Sequence, residues 1–305
     1  MRNENNKKVN TIKSYKHLFF ETTQLIKMTS MDTDVNDCSF EEMSEIYTFI
    51  DNSVSQNRKS KNQDEISLNK GDKIHFVDEN LKISIFDFLE KPYDSDIYVD
   101  DVIDIVELNL SQKKIQNISG LEYFLNLESL SLHNNNIKDL TPLRKLVNLK
   151  NLHLFENEIS DITPLAHMTK LESLSLSNNH ISDIRPLKNL INLKNLLLSN
   201  NMITSLIGLK DLINITYLSL YNNKIKNING IEYLSELTYL SLSNNRIEDI
   251  NILCGLNKLE ILFLESNKIK NIEPVKYLRN LNTLEIKLNK ITDFSVLDGF
   301  SCLIS

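Results

Sequence analysis

From residue 105 onward the chain repeats itself every 22 residues, and that period restricts the fold more than any other feature. Units begin at Ile105, Leu127, Leu149, Leu171, Leu193, Ile215, Leu237, Leu259 and Leu281, with no insertion or deletion between them. In "LESLSLSNNHISDIRPLKNLIN" (171–192) the invariant skeleton is Leu171, Leu174, Leu176, Asn179, Ile181, Ile184, Leu187 and Leu190. The L-x-L segment alternates at period two, so Leu174 and Leu176 point to one side and Ser175 to the other, as in a short strand. No single unit can bury its apolar positions alone, so neighbours must shield one another in a stack. Parallel strands about 4.8 Å apart then give a sheet roughly 40 Å long over nine units.

The turn after each strand carries an asparagine at position 9, from Asn135 to Asn289, with Lys113 in its place in the first unit. A carboxamide both donates and accepts, so this column is expected to form a ladder that satisfies backbone groups inside the stack. Return limbs such as "DLTPL", "DITPL" and "DIRPL" contain Pro142, Pro164 and Pro186, which fix φ and favour short 3₁₀ turns or extended chain over long helices. The expected fold class is α/β: a leucine-rich solenoid with a parallel sheet on its concave face and short convex limbs.

These phrases resemble the leucine-rich repeats of the bacterial internalin family, above all "NEISDITPLAHMTKLESLSLSNNHISDIRPL". The segment "FVDENLKISIFDFLEKPYDSDIYVDDVIDIVELNLS" (76–111) is similar to the helical cap that opens internalin-like domains. Its residues independently predict a helix, with Asp78 as N-cap, Leu81, Ile85, Phe88 and Leu89 at helical spacing, and Pro92 as the stop. The resulting organisation is a segment with two short helices over 1–54, a polar linker over 55–73, the cap over 74–104 and nine repeats over 105–305. Ser39 and Glu42 have capping-box spacing in the first segment, which reads as a mobile tail or, alternatively, a docking segment.

Charge separates the chain into two parts. Residues 1–104 hold 13 Lys/Arg against 21 Asp/Glu, and residues 105–305 hold 21 against 20, for a net −7 overall. A surplus of acid argues against nucleic-acid binding. Cys38, Cys254 and Cys302 form neither a CxxC pair nor an even set. Cys254 and Cys302 lie two repeats apart, about 10 Å, which exceeds the roughly 7 Å reach of a disulfide. No apolar run reads as a cleavable leader or a membrane span, which points to a cytoplasmic protein. The final repeat has no recognisable cap, so its open edge is expected either to be covered by Phe300, Leu303 and Ile304 or to support self-association.

No P-loop, GxGxxG, HExxH or GxSxG stretch occurs, so the expected chemistry is non-covalent, without catalytic residues, metal or cofactor. His133 and His153, near Glu156, could pair as a metal or base site but read more simply as solvated residues of a polar sheet face. Variable strand positions point to the partner-binding surface. Leu197, Tyr217, Tyr221, Tyr239, Ile261 and Phe263 gather on neighbouring units, flanked by Glu285, and are expected to form an exposed cluster that grips an unidentified protein partner. Lys224, Arg246, Lys268 and Lys290 form a basic row at position 10, read as a solvated rim. The resemblance implies protein recognition through the concave face. It leaves two further readings: an exported adhesin or effector binding a host protein, and a regulatory subunit like the leucine-rich regulator of protein phosphatase 1.

Overall fold

A computed structural model describes residues 71–298 and the strand backbone of Leu303–Ile304. The helices expected within 1–54, the linker up to residue 70, Cys38, Cys302 and Phe300 lie outside the described residues. Ten parallel strands run in chain order through one sheet. They are β1 (Glu107–Asn109), β2 (Ser129–Ser131), β3 (Asn151–His153), β4 (Ser173–Ser175), β5 (Asn195–Leu197), β6 (Tyr217–Ser219), β7 (Tyr239–Ser241), β8 (Ile261–Phe263), β9 (Thr283–Glu285) and β10 (Leu303–Ile304). Leu130, Leu152, Leu174 and their equivalents pair one above another, so each strand contributes its leucine at the same height. Between most strands, though not between β6 and β7, the chain returns through short 3₁₀ helices, with proline in the first turn of Thr141–Lys145, Thr163–His167 and Arg185–Asn189. The array is thus a leucine-rich solenoid, with the sheet on the concave side.

β10 alters the count of nine. Leu303 pairs with Thr283, a step of 20 residues where every earlier step is 22. The edge of β9 is therefore paired, not open. The last full repeat is still the least closed of the array: Phe294 is 50% exposed, whereas Ile272, its equivalent one unit earlier, is 2% exposed.

The asparagine ladder forms as the sequence implies. Asn179 accepts from the Ile159 N–H at 2.9 Å and donates to the carbonyls of Leu154 and Leu176 at 3.0 Å. Each carboxamide thereby ties its own turn to the unit before it, and Asn135 ends the ladder by accepting from Lys113 and Ile115. A second ladder lies at position 22. The side chains of Asn126, Asn148, Asn192, Asn214 and Asn280 donate to carbonyls of the preceding unit at 2.7–2.9 Å.

Before each ladder asparagine the backbone turns through the left-handed region, with φ between 52° and 58° from Asn134 to Leu288. Asparagine tolerates this conformation and a larger side chain resists it. Leu288 is also 73% exposed, so its side chain gains little in return. Leu288→Asn is expected to raise stability by about 0.5–1 kcal/mol, read as a higher urea midpoint at unchanged slope.

The cap consists of α1 (Glu79–Leu89) and α2 (Val99–Val102). Leu81, Ile85 and Phe86 are buried against the end of the stack, and Asp78 caps α1 by accepting from the Leu81 N–H at 3.1 Å. The helix stops before Pro92, at Glu90 in the left-handed region. Phe88, expected on the buried stripe, is 46% exposed, and Phe86 takes the inward place. Asp72 and Lys73 already pair with the cap through Val99 and Tyr98, so the polar stretch ends two residues before residue 74.

Candidate functional site

The solenoid presents one sheet face to the leucine core and the other to its concave side. Alternation places positions 3 and 5 on the concave side, and the strand register stacks those side chains in columns. Tyr217 pairs with Tyr239, which pairs with Ile261, while Ser241 pairs with Phe263. The clustering expected from sequence is therefore present. Tyr217 and Tyr239 stack with centroids 4.0 Å apart and planes 5° apart, and Phe263 meets Tyr239 edge-on at 5.6 Å.

The expected exposure is not. Tyr217 is 1%, Tyr239 3%, Leu197 4% and Phe263 9% exposed, although none of them belongs to the leucine core. Ser219 and Ser241, beside them, are fully buried. Period-two alternation specifies which face a side chain takes and says nothing about what else reaches that face. Mutual stacking covers part of each ring, and none of the three is free within the folded chain. Tyr221, Ile261 and Glu285 remain half-buried. Burial, then the nearby Glu265 carboxylate, pushes the Tyr221 phenol up, so it stays protonated and able to donate.

Toward the first repeats the same face is more open. His133 and Phe155 stack with centroids 4.3 Å apart and planes 10° apart, both half-buried. Burial, then proximity to His153, lowers the His133 pKa, and burial alone lowers that of His153. Both imidazoles are thus neutral at neutral pH. Burial pushes the Glu156 carboxyl up. Among the described residues the His133 Nδ1 atom has no hydrogen-bond partner. Among the described residues no group of three or more His, Cys, Asp or Glu side chains is placed to hold a metal ion. Sequence reasoning passed over Phe155; its place at position 7, next to His133 in the same column, was the available signal.

Charge lines the edges of the sheet. Lys150 meets Glu128 at 2.8 Å and Lys194 meets Glu172 at 2.9 Å, exposed pairs worth little individually. Cys254 is exposed and unbridged. Among the described residues no helix is long and apolar enough to cross a membrane.

A family model described as leucine-rich repeats (two copies) matches residues 147–189 and 235–277. No curated protein matches the chain. Among solved structures, an internalin (InlF) from Listeria monocytogenes is 32% identical over 75% of this chain and 75% of its own, with TM-score 0.68. Internalin C2 from the same organism is 30% identical over 75% of this chain and 93% of its own, with TM-score 0.58. The ectodomain of the Arabidopsis thaliana receptor kinase GASSHO1/SCHENGEN3, solved with CASPARIAN STRIP INTEGRITY FACTOR 2, is 22% identical over 57% of this chain and 23% of its own, with TM-score 0.52. That last likeness is one of fold alone.

Proposed function

The chain belongs to the internalin family of leucine-rich repeat proteins, and on that premise we propose that it is a non-catalytic module whose concave face binds a protein partner. One observation carries the reading. The core columns are nearly uniform leucine and isoleucine, whereas the concave columns change from unit to unit and place Tyr221, Ile261 and Glu285, half-buried, on the same face as the stacked rings. Half-buried aromatic and aliphatic side chains on a rigid base lose little conformational freedom when a partner covers them, which is how interface hot spots work. Leu197, Tyr217, Tyr239 and Phe263 act as the rigid neighbours on that face. The solved plant receptor complex, a leucine-rich repeat ectodomain with a bound factor, supports the fold's suitability for the task.

The test compares the full chain with Tyr221→Ala and Ile261→Ala in affinity capture followed by titration of the captured protein. Each substitution is expected to weaken binding by at least about 1 kcal/mol, roughly fivefold, with the thermal midpoint nearly unchanged. Undiminished binding by both variants, together with loss of binding on substituting the convex residues Ile191 and Ile213, would move the site to the other side of the solenoid.

A further inference from the structure

Beyond the concave face, we propose that the rim of repeats six to nine is a docking surface for an acidic segment of a protein. Positions 10 and 12 of these units carry Lys224, Lys226, Arg246, Lys268, Lys270 and Lys290 against the single acid Glu248. All six cations are exposed, and among the described residues none of them takes part in an ion pair. The same positions of repeats two to five offer only Lys138 and Glu158 as fixed charges, and those two meet each other at 3.2 Å. Repeat one adds a lone exposed Lys114, so the run of cations on consecutive units belongs to repeats six to nine, in a chain whose net charge is −7.

The row is held in register by backbone. The N–H groups of Lys224, Arg246, Lys268 and Lys290 donate to the carbonyls of Ile203, Ile225, Ile247 and Ile269 at 2.8–2.9 Å. One cation per strand at about 4.8 Å gives a line of roughly 14 Å, the length of four or five residues of extended chain. Like charges held this close repel one another, and an incoming polyanion relieves that repulsion. Lysine stems can swing to meet carboxylates of either side of an extended strand.

Peptide is favoured over other polyanions by what lies beside the row. Asn222 donates to Asn200 at 2.8 Å and Asn244 donates to Asn222 at 2.6 Å, forming an exposed chain of carboxamides. Asn222 and Asn244 each keep a second N–H for a peptide carbonyl, whereas the amide nitrogen of Asn200 is buried. No aromatic ring occupies positions 10 and 12 of these units, so the rim offers no platform on which nucleic-acid bases could stack.

The experiment titrates a fluorescent deca-glutamate peptide with the full chain and follows anisotropy at low and raised salt. The quadruple variant K224Q/R246Q/K268Q/K290Q is expected to lose about tenfold or more in affinity, and the wild-type affinity to fall with salt. The control R144Q/K145Q/K188Q/K210Q removes four exposed cations from the convex limbs and is expected to stay within twofold. Replacing Lys224, Lys268 and Lys290 by arginine should retain binding, which separates lost charge from lost fold. The proposal is overturned if the peptide does not bind saturably, if the rim and control variants lose affinity equally, or if a sulfated oligosaccharide or single-stranded oligonucleotide of matched charge binds more tightly than the peptide. None of these outcomes depends on the concave-face reading.

Discussion

Asn179→Leu is expected to lower the unfolding free energy by about 2–4 kcal/mol. Asn179 is 5% exposed and lies between two units. Leucine has nearly the same size, so no cavity forms and the loss is one of hydrogen bonding. The Ile159 N–H loses its side-chain partner, while the carbonyls of Leu154 and Leu176 each lose one of two, keeping Asn157 at 3.1 Å and Asn201 at 3.0 Å. A buried polar group stripped of its partner costs about 1–3 kcal/mol, and two carbonyls each left with one bond of two add roughly 1 kcal/mol more. Urea unfolding followed by circular dichroism measures it. Asn289→Leu, at the more open end where the Asn289 contacts are only partly buried, should cost less than half as much. Equal costs at the two sites would mean that the ladder's value does not come from burial.

The contrast between the two asparagine ladders shows what a sequence makes visible. The column at position 9 is legible because eight consecutive units carry asparagine, and a turn inside a stack needs a donor and an acceptor at one place. The column at position 22 does equivalent work for the other turn, but it mixes asparagine with Lys170, Glu236 and Lys258, so no residue type stands out. There the other side chains find substitutes: Lys170 donates to Asn148 and Lys258 pairs with Glu236. The tenth strand was hidden for a different reason. It arrives after 20 residues, out of phase with the period that reveals the other nine. The stacked rings of Tyr217, Tyr239 and Phe263 lie on the face that alternation assigns to them, yet their burial could not be read from it. Exposure depends on three-dimensional neighbours, which a periodic pattern does not encode.

Asp78 joins both limits in one residue. Its role as the cap of α1 follows from local spacing, but its second oxygen accepts from the N–H groups of Gln116 at 2.7 Å and Asn117 at 3.1 Å, 38 and 39 residues along the chain. The carboxylate therefore fastens the cap to the turn of the first repeat. Asp78→Ala removes a helix cap and two cross-links together and is expected to cost about 2–4 kcal/mol. Asp78→Asn should fall between, because one oxygen can still cap α1 while the new amide faces two donors. Partial burial pushes the Asp78 carboxyl up, but hydrogen bonds from the backbones of Gln116, Asn117, Leu81 and Asn80 outweigh it and hold the pKa below the ordinary value. The unfolded chain therefore takes up its proton first as the solution is acidified, so the stabilisation is complete above about pH 4. It drains away as pH falls through the depressed folded value. Asp161, Asp183 and Asp293, also held low, by hydrogen bonds from Thr163, Arg185 and Ser295, lose stabilisation in the same direction. The informative quantity is hence the difference between wild type and Asp78→Ala, which should be constant from pH 7 to about 5 and shrink below about 4. A difference that stayed level down to pH 2 would show that the charge of Asp78 contributes nothing to the junction, leaving only the geometry of its oxygens.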